Sequence, residues 1–179
     1  MQAAHVQRRP RALLVDDDPI VLAILSSLLD ELGIDSVQAH DGRSGLRQLT
    51  DDLLSLDLLV TDLHMPDLTG DALVLAVREL GGERDLPIVV ASSFLDADKA
   101  EALRVAGANA VVDKSGGLGP VAAAARSLLA ARGQLDSAPG ELELALQGVA
   151  EAAIRGGVET GPRPTPVPLF RIPLARARH

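Results

Sequence analysis

Four short apolar runs recur along this chain, and each ends in a residue equipped for chemistry. Ala12-Leu13-Leu14-Val15 runs into Asp16-Asp17-Asp18, and Leu58-Leu59-Val60-Thr61 into Asp62. Pro87-Ile88-Val89-Val90-Ala91 runs into Ser92, and Ala110-Val111-Val112 into Asp113-Lys114. Apolar runs this short, closed by polar residues, read as strands of a parallel sheet buried on both faces. In an open α/β sheet the carboxyl ends of the strands line the ligand crevice. Folding therefore gathers acids suited to a hard cation, a nucleophilic carboxylate, a hydroxyl and a fixed positive charge. A buried carboxylate such as Asp62 is costly unless paired or hydrogen-bonded, and the other three strand ends hold its candidate partners.

Helical patterns fill the intervals. Asp18-Pro19 supplies an N-cap and an N1 proline. Ile20, Ile24, Leu25, Leu28, Leu29 and Leu32 then form a helical stripe, closed by Gly33. Ser36–Ala39 is a second strand, and Asp41-Gly42 opens a helix carrying Leu46 and Leu49. Further helices are expected from Asp71 to Leu80, stopping at Gly81-Gly82, from Ala97 to Val105, closed by Gly107, and from Leu118 to Ala131. Five strand–helix repeats with short connections imply a doubly wound five-stranded parallel sheet with right-handed crossovers. The pattern alone leaves the strand order open.

Composition limits what the domain can be. Apolar residues make up 47% of the 179, but aromatics only 1%, with no Trp or Tyr, so aliphatic side chains must pack the core. The absence of cysteine excludes disulfides and thiolate metal sites. No apolar run approaches the length of a membrane span, and the segment after Arg11 is too short for a signal peptide. The expectation is a cytoplasmic protein without a membrane partner. Residues 12–132 hold 20 acids against nine Lys/Arg, which argues against direct contact with nucleic acid. Lys114 is one of two lysines among 17 basic side chains.

Residues 1–10 read as a disordered basic lead, 11–132 as the folded domain, and 133–179 as an extension. In that extension a linker is followed by a short amphipathic helix over 141–155 and a Pro/Arg-rich tail.

Assembled in order, these features resemble the receiver domain of response regulators over residues 11–132. The likeness rests on Asp16-Asp17, on Asp62 with Met65-Pro66 and Gly70, on Ser92 behind its apolar run, on Gly107-Ala108 and on Lys114. The resemblance implies a flavodoxin-like sheet of order 2-1-3-4-5. It implies Asp62 as phosphoacceptor, with a histidine kinase or histidine phosphotransfer protein as donor. It implies Mg²⁺ held by Asp17 directly, by Asp16 through water, by Asp62 and by the backbone carbonyl of His64. Ser92 and Lys114 would contact the phosphoryl group, and His64 stands where the family tunes hydrolysis and partner choice. A single-domain regulator or phosphorelay receiver acting on a downstream protein target, with homodimerisation open, is the implied role. The chain is then an acceptor, not an enzyme with a separate catalytic output.

Two positions depart from the family pattern. Val111 stands where an aromatic rotates with the switch hydroxyl, and an aliphatic side chain cannot make that swing. Ser115 stands where proline usually follows the lysine with a cis bond, and a cis bond before another residue costs about 2.5–4 kcal/mol. These departures motivate an alternative, a receiver-like interaction or dimerisation module that works without phosphate. An aspartyl-nucleophile hydrolase is disfavoured because His64, not a second acid, lies two residues past Asp62.

Overall fold

The computed structural model describes residues 8–80 and 85–135. The expected Gly81-Gly82 helix stop, the helix over 141–155 and the Pro/Arg-rich tail lie outside the described residues. The elements are β1 (Arg11–Val15), α1 (Pro19–Glu31), β2 (Asp35–Ala39), α2 (Gly42–Asp52), β3 (Leu58–Asp62), α3 (Gly70–Leu80), β4 (Ile88–Ser92), α4 (Ala97–Ala106), β5 (Ala110–Asp113) and α5 (Gly119–Ala130). A short 3-10 turn at Leu53–Ser55 follows α2.

The five strands pair in parallel in the order β2-β1-β3-β4-β5. Alternation along each strand splits the core into two aliphatic layers. Ala12, Leu14, Leu58, Val60, Val89, Ala91 and Val112 face α1 and α5. Leu13, Val15, Leu59, Ile88 and Val90 face the layer that Leu49, Leu73, Val74, Val77 and Leu103 complete from α2, α3 and α4. Both faces of the sheet are thus covered, which is why the strands read as continuous apolar runs rather than alternating ones.

Side-chain caps fix where the helices begin. Asp18 accepts the Ile20 N–H at 2.8 Å, Asp41 the Ser44 N–H at 2.6 Å, and Asp96 the Lys99 N–H at 2.7 Å. Each such cap stabilises its helix by about 1 kcal/mol. Asp18 is therefore occupied as a cap, as its place before Pro19 suggested.

The apolar stripe of α1 differs from the one read off the spacing. Leu22, Leu25, Leu29 and Leu32 are buried, whereas Ile20 is 68% and Ile24 47% exposed. Residues 22, 25, 29 and 32 keep the 3-4-3 rhythm of a single face. Ile20 lies nearly opposite that face and Ile24 to its side, while Leu22, which the expected stripe left out, lies on it.

Residues 8–10, expected within the lead, contact the domain. Arg8 reaches Asp57, Arg9 pairs with Asp30 and Asp35, and the Pro10 carbonyl accepts the Asp35 N–H at 2.8 Å. Acids at the amino-terminal edge of the sheet give these residues partners, so they lie against the domain.

Candidate functional site

Strand register builds the site. Val15 stands opposite Thr61, so the next residues outward on the two central strands are Asp16 and Asp62. On the other side Asp62 pairs with Ala91, and Ser92 with Asp113. The Lys114 N–H donates to the Ser92 carbonyl at 3.0 Å, which brings the lysine over the carboxyl edge of β4.

At that edge the Lys114 ammonium lies 2.6 Å from Asp16 Oδ2 and 2.8 Å from Asp62 Oδ1. All three side chains are buried or nearly so: Asp16 is 5%, Asp62 7% and Lys114 12% exposed. The remaining oxygens take backbone donors. Asp16 Oδ1 accepts the Asp18 N–H at 2.9 Å and Asp62 Oδ2 the His64 N–H at 2.8 Å. Burial pushes the Asp16 carboxyl above the usual carboxylate range, and the hydrogen bond from Lys114 only partly opposes this. Burial by itself lowers the Lys114 pKa, but hydrogen bonds to Asp16 and Asp62 and their charges outweigh it, holding the ammonium above the usual lysine value.

The loop after β3 is shaped around Asp62. The Gly70 N–H donates to the Leu63 carbonyl at 3.0 Å, and a Cβ on Gly70 would lie 2.1 Å from the Asp62 carbonyl oxygen. Only glycine permits that approach. Asp67 takes φ 64°, in the left-handed region that Asp tolerates better than most residues.

Asp16, Asp62 and Lys114 therefore meet, and Ser92 lies one strand away, wholly buried. Asp17 is exposed beside them. Ser92 Oγ accepts the Phe94 N–H at 3.2 Å and lies 3.1 Å from Nδ1 of His64. Spacing gave no sign of this histidine–serine contact, since it joins the loop after β3 to the end of β4, whose approach depends on register. The Lys114–Ser115 bond is trans, as are all peptide bonds among the described residues. Val111 is partly buried and packs against the α2–α4 layer.

Among the described residues no three acidic or imidazole side chains converge as a ready cage for a metal. The oxygen-only donor set of Asp16, Asp17 and Asp62 nevertheless suits Mg²⁺. That ion binds through one or two carboxylates and keeps several waters. Among the described residues no helix is long and apolar enough to cross a membrane.

The fold and site define a flavodoxin-like α/β domain with an acidic, lysine-bridged side-chain cluster at the carboxyl edge of its sheet. The chain belongs to the response regulator receiver domain family, whose model matches residues 12–126. It is 35% identical over 132 residues to the transcriptional regulatory protein PrrA of Mycobacterium tuberculosis, covering 74% of this chain and 55% of PrrA. It is 32% identical over 106 residues to the chemotaxis protein CheV1 of Helicobacter pylori, covering 58% of this chain and 33% of CheV1. The chain thus spans about half or less of the length of these relatives. Among solved structures, a response regulator receiver protein from Pseudomonas putida aligns with a TM-score of 0.54 at 30% identity, over 61% of this chain and 88% of that one. A receiver domain from Clostridium thermocellum has a TM-score of 0.62 at 22% identity, over 69% of this chain and 97% of that one, and supports the fold alone. Receiver domains accept a phosphoryl group and generally use Mg²⁺ to do so.

Proposed function

We propose that Asp62 of this chain accepts a phosphoryl group from a histidine kinase or histidine phosphotransfer protein in a Mg²⁺-dependent reaction. The observation that carries this reading is the pairing of buried Asp62 with Lys114 beside a second buried acid, Asp16. An Asp62 carboxylate oxygen attacks phosphorus, the P–N bond to the donor imidazole breaks, and the acyl phosphate forms. Such a transfer relies on positioning and charge neutralisation. Like unit charges 4 Å apart repel by about 4 kcal/mol at an effective dielectric of 20, so the approach of one anion to another needs cations. Lys114 supplies one. Mg²⁺, when held by Asp16, Asp17, Asp62 and the His64 carbonyl, supplies the other. Ser92 and Lys114 then hydrogen-bond phosphoryl oxygens.

The output in this reading is contact with a downstream protein through the face of α4, β4 and β5, by family analogy. Incubating the full chain with a small phosphodonor and Mg²⁺, then measuring intact mass, tests the reading. A phosphoryl adduct on native protein that Asp62→Asn lacks supports it. No adduct, or an equal adduct on the variant, overturns it. Partner binding that survives Asp62→Asn unchanged would favour the phosphate-independent module instead.

A further inference from the structure

The His64 side chain makes a contact that phosphoryl transfer to Asp62 does not require. Its ring is exposed, yet Nδ1 reaches within 3.1 Å of Oγ of the fully buried Ser92. The same oxygen accepts the Phe94 N–H at 3.2 Å and lies 3.4 Å from the Phe94 carbonyl. A hydroxyl offers one proton and two lone pairs. If Nδ1 is bare, the Ser92 proton goes to His64. If Nδ1 carries hydrogen, the ring fills a lone pair and the Ser92 proton turns to the Phe94 carbonyl. In either tautomer a phosphoryl oxygen can gain the Ser92 hydroxyl only after an existing partner is given up.

The partner that gives way follows from chain position. Phe94 lies two residues past Ser92, which ends β4, and stays beside it in the chain. His64 lies on the loop after β3, so its contact crosses to the end of β4 and breaks when the β4–α4 loop shifts. Taking Asp62 as the phosphoacceptor, we infer that His64 is a positioning residue that holds Ser92 in the unmodified arrangement. With Nδ1 bare, His64 competes with the phosphoryl group for the Ser92 proton; with Nδ1 protonated, it holds the Ser92 oxygen away from the phosphoryl group. Losing the contact favours the modified arrangement by the free energy the contact contributed. Through this contact the side chain at position 64 sets how readily the domain switches, separately from any direct effect on hydrolysis.

The test is calorimetric titration of the full chain with beryllofluoride, a phosphoryl mimic, in the presence of Mg²⁺. His64→Ala should bind it about fivefold more tightly than wild type, the factor one net hydrogen bond carries. His64→Asn puts an amide where Nδ1 stood and should stay within about twofold of wild type, whereas His64→Gln carries its amide farther out and should follow His64→Ala. In a Ser92→Ala background, adding His64→Ala should change nothing further, because the contact is already gone. In metal-free protein, Ser92→Ala should move the ¹⁵N resonances of the His64 ring. An unchanged affinity in His64→Ala, an equal gain in the Ser92→Ala background, or unmoved ring resonances would each overturn the inference. Wild type that neither binds beryllofluoride nor gains a phosphoryl adduct would overturn the phosphoacceptor reading itself, and the inference with it.

Discussion

Lys114 Nζ stands 2.8 Å from Asp62 Oδ1 while also holding Asp16 at 2.6 Å, so one ammonium serves two buried carboxylates. The three groups were taken out of water together, and none is fully compensated without the others. Removing the lysine therefore exposes more than one lost ion pair.

Lys114→Met is expected to destabilise the metal-free protein by about 3 kcal/mol, the usual cost of stranding a buried charge. Mg²⁺ should recover part of this by binding the same carboxylates. The Lys114 pKa is raised in the folded state, so its contribution is fully present below the unfolded value of about 10.5 and is lost as pH rises through the folded value. Denaturant unfolding of both proteins, with chelator and with Mg²⁺, at neutral and at strongly alkaline pH, measures each part. A variant as stable as wild type in chelator would contradict the pairing.

Asp16 has a linkage of the same sign, placed in the acid range. Its folded pKa lies above the usual 3.8 because of burial, so over that interval the native state binds more protons than the unfolded one. Wild type should therefore gain stability relative to Asp16→Asn as pH falls from neutral toward 3.8 in metal-free buffer. At neutral pH Mg²⁺ should stabilise wild type more than the variant, because the ion draws on the ionised form. Thermal midpoints across that range, with and without Mg²⁺, would show whether the difference grows on acidification. A flat difference would place the burial penalty elsewhere.

Gly70→Ala tests how tightly the loop after β3 is fitted. The added Cβ meets backbone, the Asp62 carbonyl oxygen at 2.1 Å, and backbone cannot swing aside as a side-chain tip can. A loss of about 1–3 kcal/mol is expected, as for other overpacked positions. Phosphoryl adduct formation should slow as well, since Asp62 and the His64 amide are held by this loop. Chemical denaturation and the time course of the mass adduct read the two effects.

Much of this was legible in the chain because a parallel sheet writes itself in period and punctuation. The apolar runs before Asp16, Asp62, Ser92 and Lys114 gave the strands to within a residue, and the capping role of Asp18 followed from Pro19. Register was not legible, and register decides which acid stands beside Asp62. The spacing could not rank Asp16 against Asp17, whereas pairing of Val15 with Thr61 puts Asp16 on the inside. The same limit hid the His64–Ser92 contact. Ile20 and Ile24 misled for another reason: hydrophobicity marks what is able to be buried, while the position of the neighbouring layer decides what is.

Asp57 supplies the last prediction, at the opposite edge of the sheet. It is buried just before β3, where it accepts the Arg11 N–H at 2.9 Å, pairs with Arg8 at 3.0 Å and accepts from Gln134 at 3.0 Å. One carboxylate thus ties the chain leading into β1 to the segment leaving α5. Asp57→Ala should cost about 2–3 kcal/mol, because it leaves a partly buried backbone donor without this acceptor and releases a charged partner. Asp57→Asn keeps an acceptor for one of these donors but not the charge, so its loss should be smaller. Both variants leave Asp62, Lys114 and Asp16 untouched, so Asp62 should still take up a phosphoryl group under native conditions. Hydrogen exchange at the Arg11 and Gln134 amides should rise in step with the loss of stability. An Asp57→Ala protein that keeps full stability would mean the segments before β1 and after α5 are held by packing alone, with the carboxylate a bystander.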